Sequence, residues 1–354
     1  MAATSTPSTS SDGTASEISQ TDRLEYVGDE ARHDRLTLSP GKFASPFVSG
    51  RAVRRSGLCT AGSGGTECLT ATECPMTVRQ ISRRAASLRR QLSQRELAVL
   101  ASLEQLRLLT TAHIQRLHLI DGSDASNTRR TQYLLKRLHH LKLVVRLSRI
   151  IGGVRAGSAG VVYGISGLGV AVLLGTDHAR RRRVWETKPY FQDHMLAVSG
   201  LYVALVQAQR THPDIEVLSF GAEPAAWRRF TGVGGELVIL KPDAVAQVGI
   251  GDLVLTAFVE ADLGTESLPT IYGKCLRYLA YWNSGLEQQR HGVFPLVVWL
   301  VPDDHRRNNI AQVIDRLSPD AARLFTVALF QDGPTVITTI PGAPEGTTAP
   351  RAPP

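Results

Sequence analysis

Two apolar runs, each closed by acidic residues, constrain this chain more than any other feature. Leu237–Leu240 ends in Lys241-Pro242-Asp243, and Leu253–Val259 ends in Glu260-Ala261-Asp262. Between them lies a polar turn, Gly249-Ile250-Gly251-Asp252. Apolar runs bounded by turn signals read as buried strands, here paired as a hairpin. Pro242 sits where the first run ends, a position that tolerates a missing backbone donor. Strand side chains alternate, so Glu260 and Asp262 share a face, and Asp243 starts the neighbouring strand. Three carboxylates brought this close repel unless a cation or a proton intervenes. Hard oxygen ligands of this kind suit Mg²⁺ or Mn²⁺. Lys274, on the helix that follows, is placed to direct a fixed positive charge at the same spot.

Charge is distributed unevenly. From Met76 to Ile150 there are fifteen Arg and Lys against four acids, a local charge of +11 in a chain whose total is +8, which leaves −3 for the remainder. A strongly basic segment joined to a mildly acidic one is the footprint of a nucleic-acid-binding module attached to something else. The plain alternative is a solvated basic face. No apolar run is long enough to span a bilayer and no signal peptide opens the chain, so the expected location is the cytoplasm, without a membrane partner. Of four cysteines, Cys59, Cys68 and Cys74 lie in a Gly/Ser/Thr-rich stretch whose spacing fits no zinc pattern, and Cys275 stands apart. Free thiols are expected.

Taken in order, residues 1–75 have little periodic hydrophobicity and read as disordered, with a true start at or near Met76 as a further expectation. Ser93 with Glu96 three residues later is a capping box, followed by a stripe at Leu97, Leu100, Leu103 and Leu106. Thr110 or Thr111 caps a short second helix. After the turn at 121–124, Ser126 or Asn127 opens a third helix. Its apolar residues are Tyr133, Leu134, Leu138 and Leu141, and its polar face carries Arg129, Arg130, Gln132, Lys136 and Arg137. Two β-like runs, from Leu143 and from Gly160, flank a Gly-rich tip at 152–158.

Three helices and a hairpin are the layout of a winged helix-turn-helix, over residues 76–165. In that fold the third helix enters the major groove of double-stranded DNA. Base reading then falls to Asn127, Thr128, Arg129, Arg130 and Gln132, with Lys136 beside them, and Arg146, Arg149 and Arg155 take phosphates. Winged helices also mediate protein contacts, which is the alternative.

Residues 166–187, with a short Gly-bounded helix and the Arg180–Arg183 run, form a linker. A second domain over 188–340 reads as a helix, three strands, a helix, a strand (Phe294–Val301, covered on both faces), a helix and a strand: a mixed sheet flanked by helices. Asp304 reads as a helix N-cap. Residues 341–354 form a disordered tail.

Lys241-Pro242-Asp243, Phe258–Ser267 and the Lys274 helix, behind a winged helix, resemble the replication-relaxation proteins of actinobacteria and their plasmids, over about residues 90–335. The resemblance implies a role in plasmid or mobile-element replication and DNA-topology control, with replication or mobilisation proteins as partners. More distantly, the same stretch resembles the core of PD-(D/E)xK nucleases, which implies a restriction-endonuclease-like α/β domain. By that pattern Asp243 and Glu260 are metal ligands. The usual Lys position holds Asp262, and Lys274 is the candidate that restores the charge. Asp193 or His194 matches the polar residue some nucleases carry in the first helix. Two functions follow: a DNA-binding replication protein, working as a homodimer on a repeated site, or a Mg²⁺- or Mn²⁺-dependent endonuclease or nickase with catalytic Asp243, Glu260 and Lys274 and metal ligands Asp243, Glu260 and Asp262. A transcriptional regulator is a third reading.

Overall fold

Ser93 and Glu96 open the second helix as their spacing predicts. In the computed structural model, which describes residues 78–147, 161–175 and 189–339, the Ser93 hydroxyl accepts from Glu96 N and the Glu96 carboxylate accepts from Ser93 N at 2.8 Å. Helix α1 (Val78–Gln91) precedes it, and α2 (Gln94–Leu106) buries Val99, Leu100, Leu103 and Leu106. A three-residue strand, β1 (Leu108–Thr110), then leads into α3 (Thr111–His118), capped by Thr110. Helix α4 (Asp124–His140) starts earlier than the Ser126 or Asn127 expected. Ser123 is its N-cap, and Asp124 in the first turn meets the positive end of the helix dipole, so the end of the supposed turn is already helix.

Strands β2 (Val144–Leu147) and β3 (Val162–Ile165) complete an antiparallel sheet in the order β1-β3-β2. The Gly-rich tip between them, with Arg149 and Arg155, lies outside the described residues, as do residues 1–75 and 341–354. The stretch expected to be a linker opens with α5 (Gly167–Leu174), whose Val170, Ala171 and Val172 are buried. Gly169 allows this packing: a Cβ there would stand 2.2 Å from the Leu143 carbonyl oxygen.

Helix α6 (Pro189–Thr211) runs for 23 residues. It touches α3 and β1 on one flank and the main sheet on the other. Ser199 donates to Leu108 O at 2.8 Å, and Arg210 donates to Leu117 O at 2.6 Å. The main sheet is five-stranded and mixed, in the order β10-β9-β8-β7-β4. Strands β4 (Ile215–Ala222), β7 (Ala244–Ile250) and β8 (Leu253–Ala261) pair antiparallel. Strands β8, β9 (Leu296–Val301) and β10 (Phe325–Leu329) pair parallel.

The two apolar runs are therefore not hairpin partners. Leu237–Leu240 is β6, and it pairs with β5 (Arg228–Thr231) in a separate ribbon. The partner of β8 is Ala244–Ile250, which begins just after Pro242 and Asp243. Proline lacks the donor that a continuous strand would need, and the chain changes sheets there. Ala244 pairs with Val259, so Asp243 still lies across from Glu260.

Helices α7 (Leu268–Asn283) and α9 (Asp304–Ile314) cover one face of the sheet, against Phe258, Trp299, Tyr278, Ile310 and Val313. Helix α6 covers the other, where Val198, Leu201 and Leu205 meet Ala246, Val248, Ala257, Val259 and Leu300. That second apolar layer is continuous with Leu100, Leu103, Leu135 and Leu138 of the helical region. The unbroken run at 296–301 is a strand covered on both faces, as its composition predicts. Asp303, not Asp304, caps α9, accepting from Arg306 N at 2.8 Å.

Candidate functional site

The parallel strands β8, β9 and β10 all end at one edge of the sheet, where α7 and α9 begin. Crevices at the carboxyl ends of such strands are where open α/β sheets gather functional side chains. Here the edge collects Asp243, Glu260, Asp262, Glu266, Lys274, Arg306 and His194.

Each carboxylate is held by specific donors. Asp243 Oδ2 accepts from Ala261 N at 2.7 Å, and its Oδ1 lies 3.1 Å from His194 Nε2 of α6. Glu260, only 2% exposed, accepts from Lys274 Nζ at 3.0 Å and from the Tyr278 hydroxyl at 2.6 Å. Asp262 accepts from Gly264 N at 3.2 Å and from Arg306 Nε of α9. Lys274 reaches Glu266 as well, at 2.8 Å, and its ammonium lies 5.5 Å from the centre of the Trp299 ring.

Four carboxylates thus face two permanent cations, Lys274 and Arg306. The excess is relieved by protons. Burial, and then the Asp243 charge, push the Glu260 carboxyl up to about 7. Burial works against a charged His194 ring, but the bond to Asp243 and its charge outweigh it and raise the imidazole above its ordinary value. Burial likewise opposes the Lys274 ammonium, and Glu260 and Glu266 outweigh that too, so Lys274 stays charged. Tyr278 is held well above the usual phenol range by burial and by Glu260, so it donates to the carboxylate as a neutral hydroxyl.

The expected trio of metal ligands is placed as follows. Asp243, Glu260 and Asp262 do gather at one edge. Among the described residues, however, no group of three or more His, Cys, Asp or Glu side chains is placed to hold a metal ion. The physical reason is occupancy by donors: each oxygen of the three carboxylates already faces an N–H or O–H group, and Arg306 draws Asp262 to α9. Lys274 does meet Glu260, as its position on α7 predicts. Sequence reasoning reaches His194 only as a faint candidate and misses Arg306, which stands 44 positions from Asp262 and gives no local signal.

The second cluster is on α4. Asn127 is buried and donates to Gly122 O at 3.0 Å, closing the turn before the helix. Thr128 donates to Asp124 O at 2.9 Å and to Gln115 at 3.1 Å. Arg130 leans back on Asp121, 3.8 Å away. Arg137 pairs with the buried Glu96 and also donates to Gln91 O at 3.2 Å. Arg129, Gln132 and Lys136 are exposed, with no side-chain hydrogen bond or ion pair among the described residues, and Arg146 of β2 is likewise exposed and free among them. Tyr133 departs from expectation. Helical spacing assigns it to the apolar stripe, yet it is 74% exposed. The buried side of α4 is Thr131, Leu134, Leu135 and Leu138. Tyr133 is rotated from that side into line with Arg129 and Lys136.

A mixed α/β sheet carrying a buried acid–base network at its strand ends, packed against a basic helical region, defines the class of protein. The model of the replication-relaxation family matches residues 100–297, and the chain belongs to that family. Membership supports a replication-related role. No curated protein and no solved structure matches the chain. Among the described residues no helix is long and apolar enough to cross a membrane.

Proposed function

We propose that this chain is a DNA-binding protein that acts in plasmid or mobile-element replication and DNA-topology control by docking α4 in the major groove of double-stranded DNA. The observation that carries the reading is the order helix, strand, helix, helix, strand, strand across α2, β1, α3, α4, β2 and β3, with the sheet order β1-β3-β2. That order supports a winged-helix reading, in which the last helix is the reading element. Arg129, Gln132 and Lys136 stand on its solvent face with nothing else among the described residues to bind. Arg146 lies on the strand leading to the tip. Asn127, Thr128 and Arg130 act instead by fixing the start of the helix.

Binding of this kind is salt-dependent, because each neutralised phosphate releases counterions. The test is a gel-shift titration of the full chain on duplex DNA across salt concentrations. Affinity is expected to fall steeply with salt. Arg129→Ala or Lys136→Ala is expected to reduce the slope by about 1 for each phosphate that the side chain neutralises. Binding that is absent, or indifferent to salt, refutes the reading.

A second reading, a Mg²⁺- or Mn²⁺-dependent endonuclease or nickase, rests on Asp243 lying across from Glu260 with Lys274 against it. The donors that fill these carboxylates are the reason it comes second. Supercoiled plasmid incubated with either metal tests it: nicking that disappears in Glu260→Gln while DNA binding persists would establish the enzyme.

A further inference from the structure

We propose that Tyr133 is a sequence-reading contact of this chain, its ring packing on the 5-methyl group of a thymine in the major groove. The inference rests on the DNA-binding reading above and adds a specificity determinant to it. Tyr133 is the exposed large hydrophobic side chain of α4 among the described residues, and its hydroxyl has no hydrogen-bond partner among them. It lines a cleft between the start of α2 and α4 together with Arg95, Arg129, Arg130, Arg137 and Leu119.

The surroundings say what covers it. Arg95, Arg129, Arg130, Lys136 and Arg137 are five cations, against the two acids Asp121 and Glu96. Three of the guanidiniums are already pinned: Arg95 to Asp121 at 2.6 Å, Arg130 to the same carboxylate at 3.8 Å, and Arg137 to Glu96. Arg129 and Lys136 are not, and they stand four residues before and three after Tyr133, on the same side of the helix. An apolar ring between two free cations fits a polyanion that offers one apolar spot. In the major groove that spot is the thymine methyl, the sole apolar group on the base edges. The ring is also short of rotatable bonds, so ordering it at an interface loses little entropy.

The test uses the full chain and short duplexes that the wild-type protein selects from a random-sequence pool. Affinity is measured for selected duplexes, for the same duplexes with deoxyuridine replacing thymines one at a time, and for unselected duplexes. The proteins are wild type, Tyr133→Ala and Tyr133→Phe; the side chain is exposed, so neither change disturbs the core. Tyr133→Ala is expected to lose roughly tenfold on selected duplexes and almost nothing on unselected ones. One thymine-to-deoxyuridine change should cost wild type a similar factor and cost Tyr133→Ala nothing further. Tyr133→Phe should bind as wild type does, and the salt slope should not move.

Equal loss on every duplex, or a loss in Tyr133→Phe, overturns the proposal in favour of a hydroxyl contact to phosphate. Unchanged affinity in Tyr133→Ala overturns it and leaves the ring to a protein partner. A wild-type chain that binds no duplex at all overturns the DNA-binding reading itself, an outcome separate from the other two.

Discussion

Replacing Lys274 with methionine keeps the aliphatic stem and removes the ammonium that holds Glu260. At 3.0 Å the pair attracts with roughly 5 kcal/mol for an effective dielectric of about 20. Desolvation offsets part of this, since Glu260 is 2% exposed and the Lys274 side chain 23%. Removing one partner of such a pair leaves an uncompensated buried charge, at about 3–5 kcal/mol. The loss depends on pH with a definite sign. The folded-state pKa of Glu260 is raised, to about 7, above its ordinary 4.5. Between those values the folded protein holds a proton that the unfolded chain has released, so the contribution of Glu260 declines as pH rises through that window. Without Lys274 the carboxyl moves further up and the decline extends to higher pH. Urea unfolding near pH 5 should therefore show Lys274→Met less stable than wild type by about 1 kcal/mol, the value of a hydrogen bond. Near pH 8 the gap should reach the full value of about 3–5 kcal/mol. A gap that is the same at both pH values, or below about 1 kcal/mol at the higher one, refutes the argument that a buried charge is what Lys274 neutralises.

Two further substitutions probe the fold around α4. Gly169→Ala forces a methyl group to within 2.2 Å of the Leu143 carbonyl and 2.7 Å of Ile165; overpacking against backbone should destabilise by about 3 kcal/mol, read as a lower urea midpoint. Ser93→Ala removes the hydroxyl that accepts from Glu96 N and should lower stability by about 1 kcal/mol in the same assay, without changing the salt slope of DNA binding.

Much of this molecule is legible in its sequence where a local rule governs. Ser93 with Glu96, Thr110 before α3, and the run at 296–301 each carry their structural reason within a few residues. The start of α4 is harder to place, because Ser126 and Asn127 are plausible caps by type and only the chain's path selects Ser123. The pairing of Leu237–Leu240 is not legible, because an apolar run does not name its partner; Pro242 holds the clue, since a strand that loses a donor there must stop. The acid network is half visible. Alternation along β8 places Glu260 and Asp262 on one face, but what neutralises them comes from α6, α7 and α9. Tyr133 shows the limit of periodicity: an aromatic near the edge of an apolar stripe can fall either side of it, and a small rotation of the helix decides.

Helix α6 has a consequence for how such a protein can evolve. Ser199 is fastened to the carbonyl of β1 and Arg210 to the last carbonyls of α3, about 16 Å further along the same helix at roughly 1.5 Å per residue. Its opposite flank is the floor of the five-stranded sheet. The small sheet with its helices is therefore not a detachable module that could be exchanged by recombination at the 176–188 stretch. A transplant would have to carry α6 along, and with α6 the sheet surface that α6 is shaped to fit, so the two halves are inherited as one part.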